Sequence, residues 1–386
     1  IDLFRETSYN RVLEDTWVGC YEGIKRCNIV LDNIESVQMD ETAKKKYKGE
    51  MLFIRALTYF NMVRLWGDVP LVIHYFDDPF QTFGFGRSPV NDVYEQIKND
   101  LIEASKILPE APDSKRLGTA VSGSAKTLLG KVYLTLKDYD NAVKILKEVI
   151  DSKQYTFIQD YTELFDVDNK NNSESIFEIQ YTEAVTDLGS AFANLFAPIG
   201  SSEVTGGIGA TEGNNEPTRN FYESYNIDDL RRDVSIGQLA DGRIYCKKFV
   251  KKPVLPNQSN ANFVVLRYTD VLLMYAEALN EISYSSSGDA IKYLNEVRQR
   301  AGLQLYTSQQ ITGKDEFRNL IWDERRCEFA FENQRWFDLL RSGKAVEVMN
   351  KSSNGDFAIE PYQLLFPIPQ NQIDIAPDVM KQNDNY

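Results

Sequence analysis

Histidine is nearly absent from this sequence: His74 is the single one among 386 residues. Metal sites built from several imidazoles, and mechanisms that need two of them, are therefore excluded. We interpret His74 as a loop residue without a catalytic role. The patterns GxSxG, Walker A, HExxH and the Rossmann glycines do not occur either. We accordingly predict no catalytic residue, no metal site and no cofactor.

Cysteine is scarce, and the four cysteines Cys20, Cys27, Cys246 and Cys327 include no CxxC pair. Cys20 and Cys27 are seven residues apart in a helical stretch, a rise of about 10 Å, which is too far for a disulfide bond. We predict that all four are small buried hydrophobic side chains.

Positively charged residues are fewer than negatively charged ones: the sequence has 43 Lys and Arg and 57 Asp and Glu, which gives a net charge of −14. Such a chain repels a phosphate backbone, which excludes nucleic acid as a partner. Neither a signal peptide nor an apolar run of 18 residues occurs in the sequence. The first residue is Ile1 rather than Met, and we expect a processed or truncated N-terminus.

The densest hydrophobic segment, residues 55–73, reads RALTYFNMVRLWGDVPLVI. Arg55 and Arg64 would be costly at the middle of a bilayer, so the segment is not a transmembrane span. Its apolar residues recur at steps of four and three, which predicts a helix with a stripe facing a core. Gly67 and Pro70 are signals that end this helix.

Two copies of a helix pair similar to a tetratricopeptide repeat follow. The same spacings of twelve, four and three residues separate two sets of small and apolar residues, Gly130, Ala142, Leu146 and Val149, and Ala278, Ala290, Leu294 and Val297. A segment rich in Gly, Asn and Ser lies between the copies and contains one strand-like run, SIFEIQYT. So long an irregular segment is typical of a functional surface.

These patterns predict a mainly α fold, a tetratricopeptide-like scaffold of about four helix pairs that carries a large loop-rich insert with minor β-structure. The helix pairs span about residues 10–66, 90–150, 264–301 and 315–341, and the insert spans about 151–262. We expect residues 1–386 to form a single body.

Charged residues are concentrated near the end of the chain's last predicted helix pair. The cluster comprises Glu324, Glu328, Glu332, Arg325, Arg326 and Arg335. Paired carboxylates catalyse glycoside hydrolysis. Carboxylates spaced by four residues beside arginines are more typical of an ion-pair network between helices, and we favour that interpretation. The same interpretation applies to Asp270 and Glu277.

The loop IHYFDDPFQTFGFGR, residues 73–87, places aromatic rings between acidic and amide side chains. Sugars are bound by rings that stack on their apolar C–H faces and by polar groups that bond to their hydroxyls. We predict a glycan site in this loop and the insert, with contacts from Tyr75, Phe76, Asp78, Gln81, Phe83, Phe85, Tyr222 and Tyr225. The alternative is that the rings only pack the loop onto the helices.

Residues 49–72, GEMLFIRALTYFNMVRLWGDVPLV, resemble the hallmark helix and turn of the SusD/RagB family of Bacteroidetes outer-membrane nutrient-binding lipoproteins. Other segments resemble the family in the same order, namely WVGCYEGIKRCNIVLDNI, RYTDVLLMYAEALNE with YLNEVRQRAGL, IWDERRCEFAFENQRWFDLLRSG and LLFPIPQNQIDIAPDVMKQNDNY. The resemblance covers nearly the whole chain. The tail departs from it, since Ala376-Pro377 stands where the family commonly has Asn-Pro.

This resemblance implies a function without catalysis. The protein is expected to capture a glycan, or a peptide as in some members, at the cell surface and to deliver it to a partner SusC-like TonB-dependent transporter, which it covers as a lid. It also implies attachment to the outer membrane through a lipidated cysteine that this sequence does not contain. Ligand contacts vary widely within the family, so no site residue is carried over.

Two other functions stay open on the sequence. One is a cytosolic tetratricopeptide adaptor that binds protein tails, although such adaptors generally stack their repeats contiguously. The other is a helical-fold glycosidase that uses Glu or Asp pairs. A glycosidase releases reducing ends from oligosaccharides, whereas a binding protein retains them unchanged.

Overall fold

The computed structural model describes residues 4–353 and 355–386. Over these residues its α-helices are α1 (Arg11–Asn33), α2 (Glu41–Trp66), α3 (Val90–Ile107), α4 (Ser122–Thr135), α5 (Tyr139–Asp151), α6 (Phe192–Phe196), α7 (Arg219–Ser224), α8 (Arg231–Ser235), α9 (Tyr268–Ile282), α10 (Asp289–Arg300), α11 (Lys314–Glu328), α12 (Arg335–Ser342), α13 (Ala345–Ser352) and α14 (Gln370–Ile375). The strands are β1 (Ser175–Ile179), β2 (Ile236–Gln238), β3 (Ile244–Cys246) and β4 (Phe263–Arg267). The predicted mainly α fold is confirmed.

The chain divides into two compact units. Unit 1 comprises the described residues of Ile1–Ala111, Ala120–Leu136 and Trp336–Tyr386, and unit 2 comprises Pro112–Thr119 and Lys137–Arg335. The aromatic loop predicted to bind glycan belongs to unit 1, and the loop-rich insert belongs to unit 2. That all residues form a single body stays a prediction.

Local signals explain where the first two helices begin and end. Asn10 caps α1 by accepting hydrogen bonds from two backbone amides at its start, and Asp40 caps α2 by accepting one from the amide of Ala43. Gly67 follows α2 with a φ of 73°, a left-handed conformation that glycine adopts without steric cost. The sequence therefore fixes both ends of α2 locally.

The second half of α2 is buried on nearly every side, and it packs against α1 and α3 within unit 1. Its buried apolar residues are Leu52, Phe53, Ala56, Tyr59, Phe60, Met62, Val63 and Trp66. Trp66 meets Trp17 of α1 edge to face, with ring centroids 5.2 Å apart. A helix that is apolar all round needs several neighbours, and unit 1 supplies them.

The helix pair predicted for residues 264–301 begins with a strand. β4 occupies Phe263–Arg267 and α9 starts only at Tyr268. The bulky and β-branched residues of β4 favour extended backbone, and β4 pairs antiparallel with β1, where Val264 lies opposite Glu178. This pairing joins the insert to the second repeat, in which α9 packs against α10.

The helix pair predicted for about residues 315–341 consists of α11 and α12, which a turn separates. α11 stops at Glu328, and the following turn contains Phe331 and Asn333 with φ values of 66° and 56°. Left-handed residues cannot continue a right-handed helix. Glu332 therefore lies in a turn rather than on the helix that carries Glu328.

All four cysteines are free. Burial raises the pKa of the Cys20, Cys27 and Cys327 thiols to about 11 and that of Cys246 to about 12. Thiols with raised pKa values stay protonated and unreactive. The prediction of buried hydrophobic cysteines is confirmed for Cys27 and Cys246, while Cys20 and Cys327 are half-buried.

A helix that crosses a bilayer needs about 20 predominantly apolar residues. In the described part of the chain, no helix is at once long enough and apolar enough to serve as a membrane span. This agrees with the interpretation of residues 55–73 as part of a packed helix, α2, and the turn that follows it.

Glycines on two neighbouring helices provide a test of the packing of α2. A Cβ added at Gly49 would lie 2.7 Å from Cγ of Leu108, whereas a Cβ at Gly23 of α1 would meet no described atom within 4 Å. Alanine improves helix propensity equally at both positions, but only at Gly49 does it overpack a core. We expect Gly49→Ala to have a free energy of unfolding about 1 to 3 kcal/mol below that of Gly23→Ala in urea denaturation. Equal stabilisation by both substitutions would refute the tight contact.

Candidate functional site

A buried arginine holds the start of the aromatic loop, defined as residues 73–87. Arg55 on α2 donates to both carboxylate oxygens of Asp100 on α3, at 2.8 and 2.7 Å. It also donates to the side-chain oxygen of Asn28 on α1 at 2.8 Å and to the carbonyl oxygen of Ile73 at 3.1 Å. Since two-pronged Arg–carboxylate contacts are strong and directional, the first loop residue is tied to three helices.

Further hydrogen bonds fix the backbone around that point. The Asn28 amide group donates to the carbonyl oxygens of Val72 and His74 at 2.9 and 3.2 Å. The Tyr59 hydroxyl donates to the carbonyl oxygen of Val72 at 3.0 Å and accepts from the Val72 amide at 2.7 Å. Backbone groups that enter the loop are thus paired within unit 1, as partly buried groups must be.

Asp32, near the end of α1, fixes the next part of the loop. Its carboxylate accepts a hydrogen bond from the amide of Tyr75 at 2.7 Å and lies 3.0 Å from Nδ1 of His74. Partial desolvation raises the pKa of Asp32, but the Tyr75 amide and His74 lower it by more, so its pKa is lowered overall. The carboxylate therefore stays ionised and keeps both contacts at neutral pH.

Asp68, which precedes the loop, and Arg87, its last residue, anchor the other end of the loop. Asp68 accepts a hydrogen bond from the amide of Val90, the first residue of α3, at 2.9 Å. Arg87 donates to the carbonyl oxygens of Asp68 at 2.8 Å, Lys381 at 2.9 Å and Trp66 at 3.3 Å. The Arg87 guanidinium is consequently held at the base of the loop and not at its tip.

The tip of the loop exposes two phenylalanine rings. Phe80 is 71% exposed and Phe83 is 42% exposed, and the rings meet edge to face with centroids 5.1 Å apart. Asp78 accepts a hydrogen bond from the Phe80 amide at 2.9 Å and begins the 3₁₀ turn Pro79–Thr82 that presents them. Adjacent exposed apolar rings are a feature of binding surfaces.

The remaining loop residues of the predicted site differ in their exposure. Phe76 and Phe85 are half-buried and pack edge to face, with centroids 5.3 Å apart. Tyr75 is also half-buried, whereas Asp78 and Gln81 are exposed. Three of the six predicted loop residues, Tyr75, Phe76 and Phe85, are thus half-buried, and the other three are exposed. That they contact a ligand stays a prediction.

The loop residue with the most exposed ring, Phe80, was missing from the predicted contacts. Hydrophobic periodicity gives no information about Phe80, because the 3₁₀ turn that contains it is only four residues long. The signal that could have found it is the Asp78-Pro79 pair directly before it, since Asp and Pro mark turns that display the residues after them.

Tyr225, a predicted contact in the insert, is a core residue of unit 2. It is 5% exposed, packs with Ile236 and Ile244, and donates its hydroxyl to the carbonyl oxygen of Cys327 at 3.1 Å. No ring face is open to a ligand, so we remove Tyr225 from the candidate contacts. Burial with a satisfied hydroxyl is typical of a structural tyrosine.

Tyr222 is half-buried and lies between two guanidinium groups, with Arg219 and Arg232 5.4 and 5.3 Å from its ring centroid. An open cleft of about 560 Å³ lies beside Arg219, lined by Glu216, Pro217, Arg219, Asp241, Gly242, Arg243 and Ile244. A role for Tyr222 in ligand binding stays a prediction.

The charged cluster of α11 forms the predicted ion-pair network, with Glu328 at its centre. Its carboxylate lies 3.1 Å from Arg231, 2.7 Å from Arg267 and 2.5 Å from Arg300. Burial raises the pKa of Glu328, but these arginines and Lys248 lower it by more, so its pKa is well below the usual range. Glu328 is therefore a structural residue that is ionised at neutral pH.

The neighbouring carboxylates are paired in the same way, mostly with cations from other elements of unit 2. The pairs are Glu324 with Arg231 (2.5 Å) and Arg298 (2.9 Å), and Glu332 with Lys248 (2.8 Å) and Arg267 (2.8 Å). Within the predicted cluster, Arg325 pairs with Asp270 at 2.7 Å and Arg326 lies 5.0 Å from the ring centroid of Phe221. The network is confirmed, but most of its cations are distant in sequence.

This pairing bears on the glycosidase alternative. Glu324, Glu328 and Glu332 are 3%, 0% and 3% exposed. A glycosidase needs a carboxylic acid and a carboxylate that both face the scissile bond. Buried carboxylates held by arginines can neither reach a sugar nor exchange protons with it, so this alternative loses its candidate residues.

Comparison with known proteins links both parts of the chain to one family. Residues 209–386 match a family model described as "SusD family". Residues 4–134 match a model described as "Starch-binding associating with outer membrane". Among curated proteins, the SusD-like protein P2 of Formosa agariphila is 28% identical to the chain, and the match covers 98% of this chain and 81% of that protein.

Solved structures resemble the whole chain. A SusD superfamily protein from Parabacteroides distasonis is 30% identical, with a TM-score of 0.87, and the match covers 98% of this chain and 87% of that one. Surface glycan-binding protein A from Bacteroides thetaiotaomicron, solved in complex with laminarihexaose, is 27% identical, with a TM-score of 0.81, and the match covers 96% and 85% of the two chains.

The anchoring of the aromatic loop can be tested at Asp32. Asp32→Ala removes the acceptor of the Tyr75 amide, and a hydrogen bond to a charged group contributes about 1.5 to 3 kcal/mol. We expect amide hydrogen exchange in residues 73–87 to accelerate roughly tenfold or more. Asp15→Ala is the matched control on α1, since Asp15 is exposed and pairs only with Arg11 at 3.5 Å among the described residues. Unchanged loop exchange in Asp32→Ala would mean that this carboxylate does not anchor the loop.

The network of unit 2 can be tested at Glu328. Glu328→Gln leaves three buried arginines short of a counter-charge, and we expect the free energy of unfolding at pH 7 to fall by about 3 to 5 kcal/mol. The control is Glu223→Gln, which replaces an exposed glutamate of the same unit. It should change the free energy of unfolding by less than about 0.5 kcal/mol. Chemical denaturation of both variants measures the difference.

The pH dependence of that effect has a defined sign. Because the pKa of folded Glu328 is lowered from 4.5, its stabilising contribution is complete above about pH 4.5 and is lost as the pH falls toward its folded pKa. The gap in stability between the wild type and Glu328→Gln should therefore narrow between pH 5 and pH 3. A gap that widens on acidification would contradict the assignment.

Proposed function

The chain belongs to the SusD family, and from that premise we propose that it binds a glycan at the cell surface through its aromatic loop without cleaving it. The observation that carries the proposal is the exposed pair of rings, Phe80 and Phe83, at the tip of the loop. Flat apolar rings stack on the C–H faces of sugars, and neighbouring polar groups such as Asp78 and Gln81 bond to their hydroxyls.

The fixed base of the loop favours binding. Asp32 and Arg55 hold the residues that enter the loop, and Arg87 and Asp68 hold those that leave it. A ligand that meets a pre-ordered loop pays less conformational entropy than one that must order it. Rings on such a loop can thus contribute affinity even where they cover only one face of a sugar.

The relatives support an oligosaccharide as the ligand. Surface glycan-binding protein A was solved with laminarihexaose, and the family model matched by residues 4–134 is described as starch-binding. We propose a glucose-based chain as the first class of ligand to test, with Tyr75, Phe76 and Phe85 lining the path beside the exposed rings.

We further propose that the bound glycan is passed to a SusC-like TonB-dependent transporter at the outer membrane, where a lipid anchor outside this sequence holds the protein. The resemblance to the SusD/RagB family supports this step. Co-expression with a SusC-like transporter from the same organism, followed by affinity purification in detergent, tests the complex. Recovery of both proteins in equal amounts is expected, and recovery of this protein alone would count against it.

The alternatives have no comparable observation in their favour. A tetratricopeptide adaptor has repeats that are contiguous in sequence, whereas here the insert separates α5 from α9 in sequence, although the two helices pack against each other. Incubation with oligosaccharides addresses the glycosidase directly, because a binding protein leaves the number of reducing ends unchanged.

Substitution of the exposed rings tests the site. We expect Phe80→Ala and Phe83→Ala each to weaken glycan binding by about 1 to 3 kcal/mol, by analogy with the stacking of bases on aromatic rings. Calorimetric titration with laminarihexaose, a xyloglucan oligosaccharide and a malto-oligosaccharide measures the loss.

The control is Tyr9→Ala, because Tyr9 is an aromatic residue of unit 1 that is 77% exposed and lies outside the loop. It should leave the affinity unchanged. Binding that survives the loss of both Phe80 and Phe83 would place the site elsewhere on the chain.

A further inference from the structure

We propose that the aromatic loop is selective for neutral glycans and disfavours chains that carry sulfate or uronate groups near the stacked sugar. This inference rests on the proposed function, because it names the ligand class of the same site. It is carried by the distribution of charge around Phe80 and Phe83.

The tip of the loop carries negative charge only. Asp77 and Asp78 are both exposed, and Asp77 lies three positions before Phe80, a span of at most roughly 11 Å along the chain. Asp78 uses one oxygen to accept the Phe80 amide at 2.9 Å. Asp77 forms no hydrogen bond or ion pair of its side chain with the described residues, so its charge is left to face solvent.

No cation of the loop balances these charges. Residues 75–86 contain no Lys, Arg or His. The two basic residues of the loop, His74 and Arg87, are near its ends, and both are bonded at its base. His74 lies against Asp32, and Arg87 donates to backbone carbonyl oxygens. Neither can turn toward a ligand at Phe80 without breaking the contacts that hold the loop.

Recognition of sulfate or carboxylate groups depends on such cations. Proteins bind these anions with guanidinium or ammonium groups in charge-assisted hydrogen bonds. At this tip an anionic substituent would instead meet Asp77 and Asp78. A single negative charge about 7 Å from one carboxylate in water lowers affinity about threefold, and two carboxylates at that distance lower it about sevenfold.

The net charge of −14 adds to this effect at low salt. At physiological ionic strength the Debye length is about 8 Å, so charges far from the loop are largely screened while those at the tip still act. Hydroxyl groups of neutral sugars carry no such penalty, and carboxylates can accept hydrogen bonds from them.

The experiment compares laminarin, xyloglucan and starch with a chemically sulfated derivative of each. Calorimetric titration of the wild-type protein at 50 mM salt should show about sevenfold weaker binding of the sulfated derivative of whichever glycan binds. The difference should shrink at 500 mM salt, since screening shortens the reach of the carboxylates.

Substitutions of Asp77 then locate the cause. Asp77→Asn should strengthen binding of the sulfated glycan about threefold, and Asp77→Lys should do so roughly sevenfold, because it changes the local charge by two units. Binding of the neutral glycan should change less than twofold. The matched control is Asp15→Asn on α1, which shifts the net charge equally, from −14 to −13, and should leave the preference as in the wild type.

The outcomes separate this inference from the proposed function. Equal or tighter binding of the sulfated glycan by the wild type, with binding of both forms lost in Phe80→Ala, overturns the selectivity and leaves the site intact. A preference that shifts as much in Asp15→Asn as in Asp77→Asn also overturns it, because the overall charge would then be the cause. Binding of neutral glycan that ignores Phe80 and Phe83 overturns the proposed function itself.

Discussion

Arg55 is 6% exposed, and a buried cation must have its donors paired or it destabilises the fold. Its partners are Asp100, Asn28 and the carbonyl oxygen of Ile73, which belong to two other helices and to the first residue of the aromatic loop. A loop conformation that withdrew Ile73 would leave a buried donor unpaired, at a cost of about 1 to 3 kcal/mol. The position of the loop base therefore follows from the pairing of one charge in the core of unit 1.

Unit 2 applies the same rule to a larger set of charges. Glu328 is fully buried and faces Arg231, Arg267 and Arg300, which come from elements far apart in the sequence. These ion pairs join α11 to α8, β4 and α10. They therefore hold the irregular insert against the helices of unit 2, which its short strands and short helices alone would do only weakly. This use also decides their chemistry, because carboxylates enclosed by arginines are unavailable as acids, bases or nucleophiles.

The features that depend on local sequence could be predicted, and those that depend on distant partners could not. The helical periodicity and Gly67 gave the end of α2 correctly, since both act within a few residues. From the sequence, Tyr225 is predicted to be an aromatic residue on a loop. It is a core residue because Ile236 and Ile244, which follow later in the chain, pack against it. The partners of Glu328 were missed for the same reason: periodicity shows that a helix carries charge, but not which segments approach it. Exposure of Phe80 likewise depends on the turn begun by Asp78.

The residues that carry the family resemblance act on the support of the loop and not on its tip. Arg55 holds Ile73, Tyr59 holds Val72, and Asp68 accepts the first amide of α3. A motif with these roles specifies where a loop leaves and rejoins the helices, and it is compatible with many loop sequences in between. Membership of the family therefore predicts where the loop lies, whereas under the proposed function the glycan is specified by the tip. In this chain the tip carries the exposed rings of Phe80 and Phe83 and the carboxylates of Asp77 and Asp78, with which no described residue forms an ion pair. Under the proposed function, shape and charge at these few positions therefore carry the choice of ligand.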